Sequence, residues 1–211
     1  MRSTIGLFVL DIDYPKSISS MTIPRLKDYA SSIGAQFTCI TERRFPNHPI
    51  SYEKIQVYEL GKDNDWNILI DCDMLIKEGM YNVVDLIPNG NCVGAWQSYW
   101  EPHLYNDRGI DIAIAANFLV VPNQCHNIFK PLDELEQPEL WLKEMSKIDE
   151  FCLSLNRQKF GYRLVGIELP NSYNRLFKHL NILTDKVELS RAVSEGINFL
   201  KEESNEKSRV Y

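Results

Sequence analysis

The sequence predicts an α/β fold with a mostly parallel central sheet flanked by helices. Three observations carry that prediction. Residues Ile5 to Leu10 form an unbroken apolar run closed by Asp11, the pattern of a strand buried on both faces. A helical spacing follows at Ile23, Leu26, Ala30 and Ile33, and then a second strand at Ala35 to Ile40, so the opening of the chain reads strand, loop, helix, strand. A further short apolar strand, Asn67 to Ile70, ends on Asp71, Cys72 and Asp73. With 211 residues there is room for one sizeable core.

The elements can be justified in order. Asp11, Asp13 and Pro15 end the first strand, and Ser17 to Ser20 make a polar loop. Thr22 is placed to cap the next helix, Pro24 falls in its first turn and Gly34 closes it. Arg43 to Pro49 is a loop with two prolines; Ser51 then caps a helix from Tyr52 to Leu60, with Gly61 just beyond. After the aspartates, Met74 to Ile76 resumes the apolar run. Asn91 to Trp96 and Asp111 to Val121 read as strands, Pro131 to Leu155 as mostly helical with an interruption at Pro138, and Leu164 to Leu169 as a last strand before Pro170. Lys201 to Tyr211 is polar and lacks apolar periodicity. It reads as a poorly ordered tail, or a linker to further domains beyond residue 211, leaving residues 1–200 as a single domain.

Charge and cysteine usage exclude several function classes. Lys plus Arg total 23 against 29 Asp plus Glu, a formal net charge of -6, which is not the footprint of a nucleic-acid binder. The five cysteines are scattered, with no CxxC pair and no histidine at zinc-finger spacing, so neither a zinc site nor a disulfide framework is expected. The run from Ile5 to Leu10 is too short for a signal-peptide core or a membrane span. The expected compartment is reducing and cytoplasmic.

Asp71 and Asp73 carry the clearest chemical signal. Carboxylates two residues apart at the carboxyl end of a buried strand project into the crevice where open α/β sheets bind ligands. Two hard oxygen donors there suit Mn²⁺ or Mg²⁺ holding a phosphate. The apolar residues on either side set the pair apart from ordinary turn acids. A second pair, Asp11 and Asp13, follows the first strand, as in phosphatases of the haloacid-dehalogenase type. There, however, Tyr14, Pro15 and Lys16 occupy the positions where such enzymes carry a small residue and then Thr or Val.

The stretches Tyr52 to Leu60 and Asp65 to Ile76 resemble the nucleotide-sugar glycosyltransferases of the GT-A fold, whose pattern is a helix, a short turn and a strand ending in DxD. Ala115 to Val121, Ile148 to Leu155 and Leu169 to Asn174 are similar, in order, to later segments of that family. The compact size and polar tail also resemble a glycosyltransferase domain of the chlorovirus capsid-glycan enzymes. This resemblance implies that Asp71 and Asp73 hold Mn²⁺ (or Mg²⁺) against the donor diphosphate, with His179 as a third metal ligand, although the Gly and Lys-Pro-Trp run that follow this histidine in the family are absent. It implies that Asp11, Asp13 and Tyr14 read the base and ribose, that Lys54 reaches a phosphate, and that Asn117, Asp149 and Glu150 line the sugar pocket as catalytic residues. Arg43 and Arg44 are further candidates for a phosphate clamp.

Trp96, Tyr99 and Trp100, with His103 and Tyr105, form an aromatic cluster suited to stacking on the apolar faces of an acceptor sugar. The implied activity is metal-dependent transfer of a hexose-type sugar from a UDP-sugar to a glycan or glycoprotein hydroxyl, with retention of configuration. Two other readings stay open at this point: a phosphatase using Asp11 and Asp13, and a non-catalytic module that binds nucleotide or glycan.

Overall fold

The computed structural model describes residues 3–76, 78–88, 90–97, 109–133, 147–167, 177–179 and 186–208. The chain divides into two compact units. One comprises Met1–Ile12, Gly34–Asp71 and Asn82–Glu168, and the other Asp13–Ile33, Cys72–Tyr81 and Leu169–Tyr211.

The first unit is built on a six-stranded mixed sheet in the order β2-β1-β3-β6-β5-β7. Its strands are β1 (Ile5–Leu10), β2 (Gln36–Ile40), β3 (Trp66–Asp71), β5 (Cys92–Gln97), β6 (Ile114–Pro122) and β7 (Arg163–Gly166). Pairings β1–β2, β1–β3 and β5–β7 are parallel, and β6 alone runs antiparallel to its neighbours. The expected α/β class with a mostly parallel sheet is therefore what the chain forms. All six residues of β1 are buried, as a continuous apolar run in a central strand requires. Phe8, Leu10, Leu69, Val93, Ala95 and Leu119 join Phe129, Phe151 and Leu153 in one core.

The helix expected over Tyr52 to Leu60 takes a different form. Ile50–Gln56 is a 3-10 helix, continued by the short α2 (Val57–Leu60), and Ser51 lies inside it while Pro49 precedes it. Tyr52 to Val57 are buried without interruption. A helix resting on a core with one apolar stripe leaves its other face in water. This segment is enclosed all round, which is why no 3.6-residue period marks it. Of the helix expected from Pro131 to Leu155, residues 131–133 are irregular, 134–146 lie outside the described residues, and α3 (Ile148–Lys159) is the ordered helix.

The second unit contains α1 (Lys16–Ser32), the strands β4 (Met74–Ile76) and β8 (Phe177–His179), and α4 (Lys186–Ser208). Helix α1 begins six residues before the expected cap at Thr22. Pro15 supplies the preset φ of -57° at the N-cap, and the N–H groups of Ile18 and Ser19 donate to its carbonyl. Burial of Ile18 draws the serine run into the helix, so Pro24 sits in its interior. Ile18, Leu75, Ala192 and Phe199 form this unit's own core, with Tyr14 and Leu189 packed against it.

Within the expected polar tail, residues 201–208 are helical. They continue α4, and Glu203 within them is buried. Its carboxylate lies 2.8 Å from Arg25 Nη1 and accepts from the Glu78 N–H at 2.8 Å. A polar segment can be ordered by one buried, well-partnered carboxylate, and a hydrophobic pattern does not register that.

Candidate functional site

The parallel register of β1 and β3 places Leu10 opposite Asp71, so both strands end at the same carboxyl edge of the sheet. Asp71 terminates β3 there, and Asp11 follows β1 at the same edge. This is the edge at which open α/β sheets bind ligands.

Asp71 belongs to a buried ion cluster within the first unit. Lys54, from the 3-10 helix, has its Nζ 2.6 Å from Asp71 Oδ1 and 3.0 Å from Asp149 Oδ2, and donates to the Ala116 carbonyl at 3.1 Å. An ammonium has three donors, and three protein acceptors meet them. Burial by itself would favour the neutral amine, but Asp149 and then Asp71 outweigh it and hold the Lys54 ammonium well above the ordinary lysine range. Asp149 enters from the first turn of α3, where the helix dipole favours a carboxylate.

Asn117 follows Ala116 on β6. Its Oδ1 is buried and has no hydrogen-bond partner among the described residues. A buried amide oxygen left this way costs about 1–3 kcal/mol. It is the kind of group that a ligand hydroxyl or amine satisfies.

The other expected site residues fall as follows. Asp73 is buried in the second unit, in the turn before β4. Strands β4 and β8 are antiparallel with Met74 opposite His179, so the backbone of the expected third metal ligand is in register with the residue after Asp73. Among the described residues no three His, Cys, Asp or Glu side chains form a metal-binding group. The chemistry of the expected donors, aspartate carboxylates, is that of ligands for a hard divalent cation. Asp13 is exposed and adopts a left-handed φ of 53°, and Tyr14 is half-buried on the rim of the second unit's core.

Glu150 diverges from Asp149: it lies 3.6 Å from Lys147, the residue that precedes α3. Trp96 is half-buried, its indole N–H donates to the Ile167 carbonyl at 3.0 Å, and its ring lies tilted against Phe118. Tyr99, Trp100, His103 and Tyr105 lie outside the described residues. Arg43 donates to Glu53 Oε1 at 2.9 Å and to the carbonyls of Phe45 and His48, so its guanidinium staples its own loop. Glu53 also accepts from the N–H groups of Arg44 and Phe45 and from Gln56 Nε2. The composition of the segment offers no signal for this clamp, because Glu53 and Lys54 are adjacent charges that both turn inward.

No protein-family model matches the sequence, and no curated protein matches it. Solved structures do. A glycosyltransferase involved in the glycosylation of the major capsid of PBCV-1 superposes with a TM-score of 0.59 at 11% identity, over 90% of this chain and 99% of that one. The glycosyltransferase GlyE of Streptococcus pneumoniae TIGR4 superposes with a TM-score of 0.53 at 13% identity, over 98% of this chain. The chain has a glycosyltransferase fold. It spans 64% of the length of GlyE and nearly all of the PBCV-1 enzyme. The fold implied by the DxD-bearing segments is thus the one formed, with Asp71 at the end of a central strand and Lys54 and Asp149 gathered about it.

Proposed function

We propose that the protein is a metal-dependent glycosyltransferase that moves a hexose-type sugar from a UDP-sugar to a hydroxyl of a glycan or glycoprotein. The observation that carries this reading is the Asp71–Lys54–Asp149 cluster at the carboxyl edge of a sheet whose fold is shared with glycosyltransferases. The phosphatase reading gains nothing from that fold. Asp13 is exposed, with a left-handed φ of 53°.

In this reading Asp71 and Asp73, with His179, hold Mn²⁺ or Mg²⁺. When bound, the metal acts as a Lewis acid on the donor diphosphate, so that the nucleotide departs with its charge neutralised. Asp11, Asp13 and Tyr14 bind the nucleoside. Lys54 orients rather than contacts: its three donors are matched by Asp71, Asp149 and Ala116, so it holds both carboxylates in place. Asn117 offers its buried amide oxygen to a hydroxyl of the transferred sugar, and Asp149 and Glu150 stand on the helix that follows. Trp96, Tyr99 and Trp100 form the acceptor platform. Retention is preferred because none of these acids is assigned as the base that an inverting reaction needs to deprotonate the acceptor.

Calorimetric titration of UDP, GDP and CMP with and without Mn²⁺ tests the reading. UDP alone should bind, only with metal, and Asp73→Asn or Asp71→Asn should abolish the heat. Metal-independent binding, or no nucleotide binding at all, would overturn it. With a donor in hand, product of inverted anomeric configuration would refute retention.

A further inference from the structure

The second unit has its own polar framework around the segment that carries Asp73. Thr22, on the buried side of α1 and fully inaccessible to solvent, has its Oγ1 2.5 Å from the Cys72 carbonyl oxygen and 3.2 Å from that of Ile18. A hydroxyl has one proton to donate, and the shorter contact takes the larger share. The Cys72 carbonyl lies in the same planar peptide as the Asp73 nitrogen, so fixing that oxygen fixes the plane from which Asp73 departs.

The rest of the segment is secured at a distance. Tyr29 Oη donates to the Tyr81 carbonyl at 3.2 Å, Glu203 accepts from the Glu78 N–H, and Leu75 is packed among Ile18, Ala192 and Phe199. Of these contacts, only that of Thr22 is made to the peptide adjoining Asp73.

We infer that Thr22 is a positioning residue for Asp73, setting the backbone from which that carboxylate reaches a divalent cation. The inference rests on the proposed role of Asp73 as a metal ligand. Thr22 lies far from Asp73 in sequence, and its hydroxyl reaches the peptide that precedes it. In the sequence it reads as a helix cap, and nothing about a threonine within a helix marks it as serving a site.

Thr22→Val tests this, since it keeps the branched shape and removes only the hydroxyl. Free Mn²⁺ is titrated by electron paramagnetic resonance into the wild type, Thr22→Val, Thr22→Ser, Tyr29→Phe and Asp73→Asn, with thermal unfolding of each. Loss of such a supporting contact weakens metal binding by about tenfold or more. Thr22→Val should show that loss, Thr22→Ser should retain wild-type affinity, and Tyr29→Phe should lose stability without losing metal. Should Thr22→Val fail to fold, Thr22→Ala is read on the same scale. Wild-type affinity in the folded Thr22 variant overturns the inference, as does an equal loss in Tyr29→Phe, which would make the effect one of general destabilisation. A wild type that binds no Mn²⁺, or an Asp73→Asn variant that binds it unchanged, overturns the reading of Asp73 itself and the inference with it.

Discussion

Replacing Lys54 with Met removes the ammonium from between two carboxylates while keeping most of the side-chain volume. Asp149 is only 5% exposed and Asp71 22% exposed, so neither recovers full hydration when its partner is lost. Breaking a buried pair by deleting one partner costs about 3–5 kcal/mol, and the partial exposure of Asp71 puts this case near the lower end, about 3 kcal/mol. At about 2–4 °C per kcal/mol for a chain of this size, the midpoint of thermal unfolding should fall by about 6–12 °C. Urea unfolding followed by tryptophan fluorescence gives the free energy directly. The companion variant is Lys54→Met with Asp149→Asn, which removes one stranded charge. It should be less destabilised than the sum of the single changes, by about 0.5–3 kcal/mol of coupling. A Lys54→Met protein within about 1 kcal/mol of wild type, below the range for breaking any buried pair, would refute the cluster as described. Strict additivity would refute the contact between Lys54 and Asp149.

Three further outcomes follow from the same geometry. Glu53 is fully buried; burial raises its pKa, but the N–H groups of Arg44 and Phe45, then Arg43 and Gln56, outweigh it and leave the carboxyl below its usual range. A depressed folded value means that its contribution is present above the unfolded pKa and is lost as pH falls through the folded one, so wild-type stability should decline on acidification. Glu53→Gln should cost about 2–3 kcal/mol at pH 7 and flatten that decline in urea titrations at pH 7, 5 and 3; an unchanged pH profile would count against the clamp. Gly61→Ala would put a Cβ 2.3 Å from Asn67 Oδ1 and should destabilise by about 1–3 kcal/mol in the same assay, whereas a neutral result would mean that the Asn67 side chain yields freely. Truncation after Leu200 removes Glu203 and its contacts to Arg25 and Glu78, and should lower the thermal midpoint by several degrees; a loosely attached tail would leave it unchanged.

The elements legible in the sequence were those with a strong period or an unbroken apolar run. The β1 strand, the β3 strand ending in Asp71, and the strands around Val93 and Leu119 could be read from residues alone, because burial on both faces of a sheet demands continuous apolar character. The position of Asp71 at the end of β3 was legible, because an apolar run closed by a carboxylate marks a strand end. For Lys54 the resemblance implied a phosphate contact; its burial between Asp71 and Asp149 was not legible, since a lysine in a helical stretch normally faces water. Nor was the contact of Thr22 to Cys72 legible, since it bridges 50 residues of chain.

The sequence by itself therefore determined the α/β class, the order of the main strands along the chain and the aspartate that ends the third strand. These follow from local rules, namely alternation, apolar runs and turn chemistry. Only the tertiary structure decided that Lys54 is held by Asp71 and Asp149, that Glu53 locks the Arg43 loop, and that Glu203 orders the last turns of α4. The physical reason is common to all three. A buried charge is tolerated only where partners distant in sequence converge on it, and no local pattern records that convergence.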